Sequence, residues 1–206
     1  KIGSQVWILA RDESKLSSAL KEINTVSSNL SLKNGYIVAD ISDSTHLSPQ
    51  LENFMTDVGV PDVIVNSAGV AHPGYFEELD LDIFHWMMDV NYFGTIYTTK
   101  SIIPAMIHRG SGWIINISSM AGYLGVFGYT AYGASKYAVR GFSDALRAEM
   151  KPYGIHVSVV FPPDTETPQL EYESKYKPAE TKALSGNAGS MKPDIVALEI
   201  IKGISR

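Results

Sequence analysis

Three residues near the middle of the chain, Ser119, Tyr132 and Lys136, have the types and spacing that proton transfer to a carbonyl group requires. Tyr132 and Lys136 are four residues apart, so on a helix the phenol and the ammonium lie on one face. We expect the cation to stabilise the phenolate and to lower the tyrosine pKa from its ordinary value of about 10. Ser119 follows an apolar run, where its hydroxyl can reach a carbonyl oxygen that the tyrosine also contacts. The set predicts general acid catalysis with Tyr132 as the proton donor.

A tyrosine and a lysine at this spacing are also common on the exposed face of a helix, where they have no chemical role. The catalytic interpretation requires that the pair begin a long helix and that a strand ending in serine precede it. Both conditions are met, because the apolar run 113–117 ends at Ser118 and Ser119, and helical periodicity continues from Tyr132 to about Tyr153. The context therefore favours the catalytic interpretation.

Short apolar runs and amphipathic segments alternate along the chain. The apolar runs predict buried strands at 5–10, 36–39, 62–65, 113–117 and 156–161. The other segments predict helices at 12–28, 44–58, 79–108, 132–153 and 195–204. We expect Ser44 or Thr45 to cap the second helix and Pro104 to kink the third or start its last turns. The polar segment 165–190 is predicted to be irregular. This order predicts one domain, residues 1–206, with a Rossmann-like, doubly wound parallel sheet and a ligand crevice at the carboxyl ends of the strands.

A dinucleotide-binding sheet begins with a strand and a glycine-rich turn, and the sequence has no such turn. In the usual strand order, this leaves an empty position between the predicted strands 5–10 and 62–65. We therefore expect the chain to be a fragment of a longer polypeptide, without its first strand, glycine-rich turn and following helix, and without a last strand after Arg206.

Composition excludes several classes of protein. The 206 residues are 45% hydrophobic, enough for one sizeable core, and the formal net charge of −5 without a basic run argues against a nucleic-acid partner. The absence of cysteine excludes disulfides and thiolate metal sites. The five histidines are scattered and have no ligand spacing, so no metal site is predicted. No apolar run is long enough to span a membrane, and we expect no signal peptide at the start of these residues.

The stretch SSMAGYLGVFGYTAYGASK, with NSAG at 66–69 and DVNYFG at 89–94, resembles the short-chain dehydrogenase/reductase family over nearly the whole chain. The resemblance implies that Asn91 completes a catalytic set with Ser119, Tyr132 and Lys136. In the family this asparagine binds a water molecule that links the lysine to solvent, and the lysine also holds the nicotinamide ribose. A structural role for Asn91, bonding the backbone of a neighbouring helix, is the alternative, and both roles can hold together.

The same resemblance implies NADP(H) as the cofactor. Arg11 suits a 2′-phosphate and Ala10 stands where an acidic residue favours NAD, although a solvated arginine is the alternative. Asp40, with Ile41 beside it, is expected to bind the adenine, or otherwise to cap a turn. The remaining cofactor residues are expected to surround the ribose and the nicotinamide: Asn66, Ala68, Gly69, Tyr132, Lys136, Pro162, Pro163, Thr165 and Thr167.

The segments PPDTETP and KPAET resemble one branch of the family, the 3-ketodihydrosphingosine (3-ketosphinganine) reductases. The branch implies a long-chain keto-amine lipid substrate, sphinganine as product, and work at the cytoplasmic face of the endoplasmic reticulum membrane, anchored by segments outside this chain. A soluble reductase of steroids or other carbonyls, of the same family, and a non-catalytic NADP(H)-binding regulator are the alternatives. The family also implies a substrate lid at 169–190, and a homodimer or homotetramer formed through helices at 84–106 and 132–150.

Overall fold

A computed structural model describes residues 3–27 and 33–204, except for the side chains of 185–188. Strands and helices alternate along this part of the chain. The strands are Trp7–Ala10 (β1), Gly35–Val38 (β2), Val63–Asn66 (β3), Gly112–Ile117 (β4) and Ile155–Val160 (β5). The α-helices are Glu13–Val26 (α1), Ser44–Asp57 (α2), Leu81–Met87 (α3), Gly94–Arg109 (α4), Thr130–Met150 (α5), Pro168–Tyr176 (α6), Ala179–Ala188 (α7) and Pro193–Ile204 (α8).

The described strands form two parallel sheets, one of β1 and β2 and one in the order β3-β4-β5. The division falls between the strand at 7–10 and the strand at 63–66, where the sequence predicts an empty position. The parallel α/β fold is therefore confirmed, with its sheet in two parts. Asn66 pairs with Asn116 at the carboxyl ends of β3 and β4, and the loops that follow these strands lie at one edge.

The apolar core surrounds β4, and Ile114 at its centre is fully buried. The helices α2 and α4 contribute Leu47, Leu51, Ile102 and Met106 to the same cluster. Burial of each such side chain stabilises the fold by roughly 1.5–3 kcal/mol. Gly112 allows α4 to approach β4 closely, because a β-carbon there would lie 2.6 Å from the Met106 sulfur. The core thus fixes the strand that leads to Ser119.

Two predictions about helix ends are wrong. Asp43, not Ser44 or Thr45, caps α2, because its carboxylate accepts hydrogen bonds from the backbone N–H groups of Thr45 and His46. Pro104 does not start the last turns as a separate helix, because it lies inside α4, which continues to Arg109, and the kink at Pro104 stays a prediction. The irregular turn of this long helix lies earlier, at Met88–Phe93, where the backbone forms a π-helix between α3 and α4.

The prediction that residues 165–190 are irregular is also wrong, since α6 and α7 occupy most of this segment. Thr167 caps α6 by accepting from the Leu170 N–H, and Pro168 occupies the first helical turn, where a missing N–H costs nothing. Thr181 of α7 donates to the carbonyl of Phe127 over 2.8 Å. Polar side chains therefore order a segment whose composition is typical of a solvated loop. No helix in the described residues is long and apolar enough to cross a membrane.

Candidate active site

A cavity of about 210 Å³ opens at the carboxyl ends of β4 and β5. Its walls combine the residues after these strands with the first turns of α5 and one face of α6. The predicted residues that line it are Gly69, Ser119, Tyr132, Lys136, Pro162, Pro163, Thr165 and Thr167. Lining residues without a predicted role include Ser67, Tyr129, Asp164, Gln169, Leu170 and Glu173.

Ser119 and Tyr132 meet in this cavity. Ser119 directly follows the last residues of β4, and its hydroxyl oxygen accepts a hydrogen bond from the Ala121 N–H over 3.1 Å. Tyr132 lies in the first turn of α5 and is 8% exposed. The Ser119 side chain acts to lower the pKa of the Tyr132 phenol, and both residues line the cavity. The structure thus brings together the serine at the strand end and the tyrosine thirteen residues later in the sequence.

Burial controls the proton affinity of both titratable groups. Burial raises the pKa of Tyr132 to about 12, although the Ser119 side chain acts in the opposite direction. Burial also lowers the pKa of Lys136 to about 8. The predicted lowering of the Tyr132 pKa by Lys136 is therefore wrong for this arrangement. The phenol is protonated at neutral pH, which is the state that a proton donor needs.

The position of Lys136 explains this difference. Its Nζ donates to the Ile117 carbonyl over 2.9 Å and lies 5.7 Å from the centre of the Tyr132 ring. The side chain is 5% exposed, and a β-carbon at Gly69 would lie 3.4 Å from Nζ. The amine is thus aimed along the floor of the cavity between β4 and the loop after β3, beside the phenol but not against its oxygen.

Asn91 lies in the π-helical turn and is 1% exposed. Its Oδ1 accepts from the Val70 N–H over 2.8 Å, and its Nδ2 donates to the Val70 carbonyl and to Ser135 Oγ, each over 2.9 Å. The amide therefore bonds backbone as the structural alternative expects, although the partner is the loop after β3 and not a neighbouring helix. The role of Asn91 in holding a water molecule stays a prediction.

Arg11 and Asp40 lie at the carboxyl ends of β1 and β2, outside the cavity lining. They form an ion pair with one another, with 3.5 Å between Arg11 Nη1 and Asp40 Oδ2. Asp40 also accepts from the backbone N–H and the hydroxyl of Ser42, as a turn cap does. Burial acts to raise the pKa of Asp40, but these hydrogen bonds and the Arg11 charge together lower it. Ile41 packs against Gly94, where a β-carbon would lie 2.5 Å from Ile41 Cδ1.

Asn66 bonds within the sheet and does not line the cavity. Its amide donates to Asn116 Oδ1 over 2.8 Å and to Thr99 Oγ1 over 3.1 Å, so it ties β3 to β4 and to α4. Ala68, two residues later, is exposed, and Gly69 lies against Asn91 and Lys136.

The loop after β5 forms the opposite rim. The Pro162 carbonyl accepts from the Met120 N–H over 3.0 Å, which joins this loop to the one that carries Ser119. Thr165 Oγ1 donates to the Pro163 carbonyl, and Thr167 Oγ1 donates to the Thr165 carbonyl. Both threonine hydroxyls therefore have local acceptors within the rim.

Glu173 is the functional candidate that the sequence did not reveal. It lies on α6, is 7% exposed, and its Oε2 accepts from the Tyr129 hydroxyl over 2.6 Å. Glutamate in a polar segment predicts a solvated side chain, so no sequence signal identified it. Its burial follows from the packing of α6 against the loop that precedes α5.

Curated relatives match this chain over almost its whole length, and the match covers only part of each relative. The 3-dehydrosphinganine reductase of Danio rerio is 42% identical over 203 residues, which are 98% of this chain and 61% of that protein. The 3-ketodihydrosphingosine reductase of Mus musculus is 40% identical with the same coverage. The chain thus spans about three fifths of the length of these curated relatives.

Solved structures have the same fold. An alcohol dehydrogenase from Thermococcus sibiricus, complexed with 5-hydroxy-NADP, superposes with a TM-score of 0.82 at 22% identity, covering 99% of this chain and 81% of that one. A 3-oxoacyl-[acyl-carrier protein] reductase from Brucella melitensis superposes with a TM-score of 0.80 at 26% identity, covering 96% and 74%. The family of short chain dehydrogenases matches residues 1–177. Because this match covers most of the chain, and includes every residue that lines the cavity, the chain belongs to the short chain dehydrogenase family.

Proposed function

We propose that this chain carries the active site of an NADPH-dependent ketone reductase that converts 3-ketosphinganine to sphinganine. The observation that carries the proposal is that a buried Tyr132 lines one cavity with Ser119 and Lys136 at the carboxyl ends of the strands. The names of the two reductase relatives support the choice of substrate. A soluble reductase of steroids or other carbonyls is the second candidate.

In the proposed reaction, Tyr132 donates its proton to the ketone oxygen. The Ser119 hydroxyl donates a hydrogen bond to the same oxygen and offsets the negative charge that develops on it. Lys136 lies beside the Tyr132 ring but does not lower the pKa of the phenol in this structure, so its proposed role is to hold the cofactor. Burial of both side chains excludes water and strengthens these interactions.

The residues of the cavity fit a nicotinamide nucleotide. Gly69 presents no side chain toward Lys136 Nζ, and a β-carbon there would fill the space beside the amine, so a ribose can approach it. Lys136 would hold the ribose, with Asn66, Ala68 and Gly69 beside it. Pro162, Pro163, Thr165 and Thr167 would hold the nicotinamide at the rim. When bound, NADPH supplies the hydride that is added to the ketone carbon.

NADP(H) is proposed over NAD(H) on the residues after β1. Ala10 has no charge to repel a 2′-phosphate, and the Arg11 side chain is 63% exposed, so it can turn from Asp40 to a phosphate. Asp40 and Ile41 would then meet the adenine. The exchange of an exposed ion pair costs little, because such pairs contribute about 0–1 kcal/mol.

The remaining parts of the proposal concern the surroundings of the enzyme. We propose a homodimer or homotetramer, no nucleic-acid partner, and work at the cytoplasmic face of the endoplasmic reticulum membrane. The support is the lipid reaction in the names of the relatives, together with the net charge of −5.

An assay of NADPH oxidation by the full-length protein tests the function. We expect turnover with 3-ketosphinganine and formation of sphinganine, and little turnover with a generic diketone. Equal turnover of both ketones would favour the second candidate. Binding of NADPH without turnover of either ketone would favour a non-catalytic regulator, and a preference for NADH would refute the cofactor assignment.

A further inference from the structure

Glu173 places a buried carboxylate in the wall of the cavity that contains Tyr132. Two neutral side chains hold it: Tyr129 donates its hydroxyl to Oε2 over 2.6 Å, and Gln169 donates its amide to Oε1 over 2.9 Å. These bonds fix the orientation of the carboxylate but do not neutralise its charge. A charge buried in this way is costly unless a cation approaches it.

The other acidic residue of the wall is already neutralised. Asp164 forms an ion pair with Lys177, whose Nζ lies 3.0 Å from Asp164 Oδ2 and whose side chain is 4% exposed. No ion pair among the described residues includes Glu173. Burial lowers the pKa of Lys136, and the Glu173 charge raises the same pKa in part by a coulombic interaction. Glu173 is therefore the carboxylate of this wall that can form an ion pair with a bound cation.

Glu173 is linked to the reacting Tyr132 through Tyr129, and all three residues line the same cavity. Its hydrogen-bond partner Tyr129 has its ring centre 5.6 Å from that of Tyr132, and the Glu173 charge acts on the Tyr132 phenol. In a ketone with an amine on the adjacent carbon, covalent geometry holds the nitrogen roughly 3 Å from the carbonyl oxygen. An ammonium group of such a substrate must lie in the same part of the cavity when its ketone oxygen meets Tyr132 and Ser119.

We propose that Glu173 binds the ammonium group of an amino ketone substrate and so selects ketones that carry an amine next to the carbonyl. The inference rests on the proposed function, because it names the group that distinguishes this substrate from other ketones. Tyr129 and Gln169 then act as positioning residues that aim the carboxylate. A purely structural role, in which Glu173 only fastens α6 to the loop before α5, is the outcome to be distinguished.

The variant Glu173→Gln tests the inference, because it removes the charge and keeps the size and an acceptor oxygen. Glu180→Gln is the matched control, since Glu180 also accepts from a tyrosine hydroxyl, that of Tyr75 over 3.0 Å, but is exposed. Two substrates are compared in the full-length protein: 3-ketosphinganine and 1-hydroxyoctadecan-3-one, which has the same chain without the amine. We expect Glu173→Gln to lose on the order of 100-fold in kcat/KM with the amino ketone, mainly through KM. With the deaminated ketone, and in Glu180→Gln with either substrate, the change stays within about twofold.

Equal losses with both substrates, or no loss with either, would overturn the inference. Failure of the proposed function has a different signature, because the wild type then reduces neither ketone. Calorimetric binding of sphinganine and of octadecane-1,3-diol, a product analogue without the amine, separates the two failures. A preference for sphinganine that Glu173→Gln abolishes supports the inference even without turnover, and an equal affinity for both compounds refutes it.

Discussion

The two walls of the cavity are built in different ways. The α5 wall, made of β4, Ser119 and the first turns of α5, rests on apolar packing, with Ile114 and Ile115 of β4 almost fully buried. The α6 wall, residues 161–177, is held by polar contacts: Tyr129 to Glu173, Asp164 to Lys177 and the Thr167 cap. Apolar packing is non-directional, whereas each polar contact is directional and contributes about 0.5–3 kcal/mol net, most where a charged group takes part. The α5 wall is therefore suited to holding the catalytic side chains in a fixed geometry, and the α6 wall is suited to selecting the substrate.

The largest effect is expected from Tyr132→Phe in the α5 wall. The variant keeps the ring and removes the proton donor, so kcat for ketone reduction should fall by roughly 10²–10⁴-fold while NADPH affinity is unchanged. Steady-state kinetics and fluorescence titration with NADPH measure the two quantities. Tyr137→Phe is the control, because this exposed tyrosine lies on the same helix and donates to the Tyr123 carbonyl. A kcat within tenfold of the wild type would refute the assignment of Tyr132.

The next effect concerns stability. Ile114→Ala removes a fully buried side chain below the α5 wall and should lower the free energy of unfolding by about 2–5 kcal/mol. Leu184→Ala, on α7 with 60% exposure, should change it by less than about 0.5 kcal/mol. Chemical denaturation of both variants measures the difference. Similar losses of unfolding free energy in the two variants would contradict this difference and would show that the segment after β5 belongs to the same cooperative core as β4.

A smaller and more local effect is expected in the α6 wall. Tyr129→Phe removes the hydroxyl that donates to the buried Glu173, at a cost of about 1–3 kcal/mol for a carboxylate that loses its partner. Because the contact joins α6 to the loop before α5, hydrogen exchange should accelerate in α6 more than in β4. Tyr75→Phe, which removes a bond to the exposed Glu180, should leave both rates unchanged. Unaltered protection of α6 in Tyr129→Phe would contradict a polar origin of its order.

The smallest effect is the pH dependence of kcat/KM, which the titratable residues of the α5 wall determine. Burial lowers the pKa of Lys136 to about 8, so its ammonium loses the proton as the pH rises through that value. Burial raises the pKa of Tyr132 to about 12, so the phenol stays protonated over the same range. We expect kcat/KM for ketone reduction to be level from pH 6.5 to about 8 and then to fall by up to tenfold, or 1.4 kcal/mol, per pH unit. A profile that stays level to pH 10 would contradict this.

The sequence predicted the α5 wall well because its signals are local. The apolar run of β4 ends in serine, and the spacing of Tyr132 and Lys136 places both on one face of α5. The sequence did not predict the features that depend on three-dimensional packing. The pKa of Tyr132 follows burial more than the neighbouring cation, and the pairing of Arg11 with Asp40 joins the ends of two different strands.

The α6 wall was missed for a related reason. Periodicity and composition report the average polarity of residues 165–190, and this average is that of a loop. Thr181 and Glu173 are nevertheless buried, because their partners are the Phe127 carbonyl and the Tyr129 hydroxyl, both far away in the sequence. The π-helical turn at Met88–Phe93 was missed because one additional residue per turn barely alters a pattern of apolar side chains.

The side chain of Asn91 has a further consequence for this turn. By accepting from the N–H of Val70 and donating to its carbonyl, the amide gives one residue of a loop both bonds that an adjacent strand would provide. Val70 is thereby paired as if it were inside a sheet, although its partner is a helical side chain. Any sliding or rotation of the helix around Asn91 would carry the chain beyond β3 with it, and would tilt the surface on which Gly69 meets Lys136.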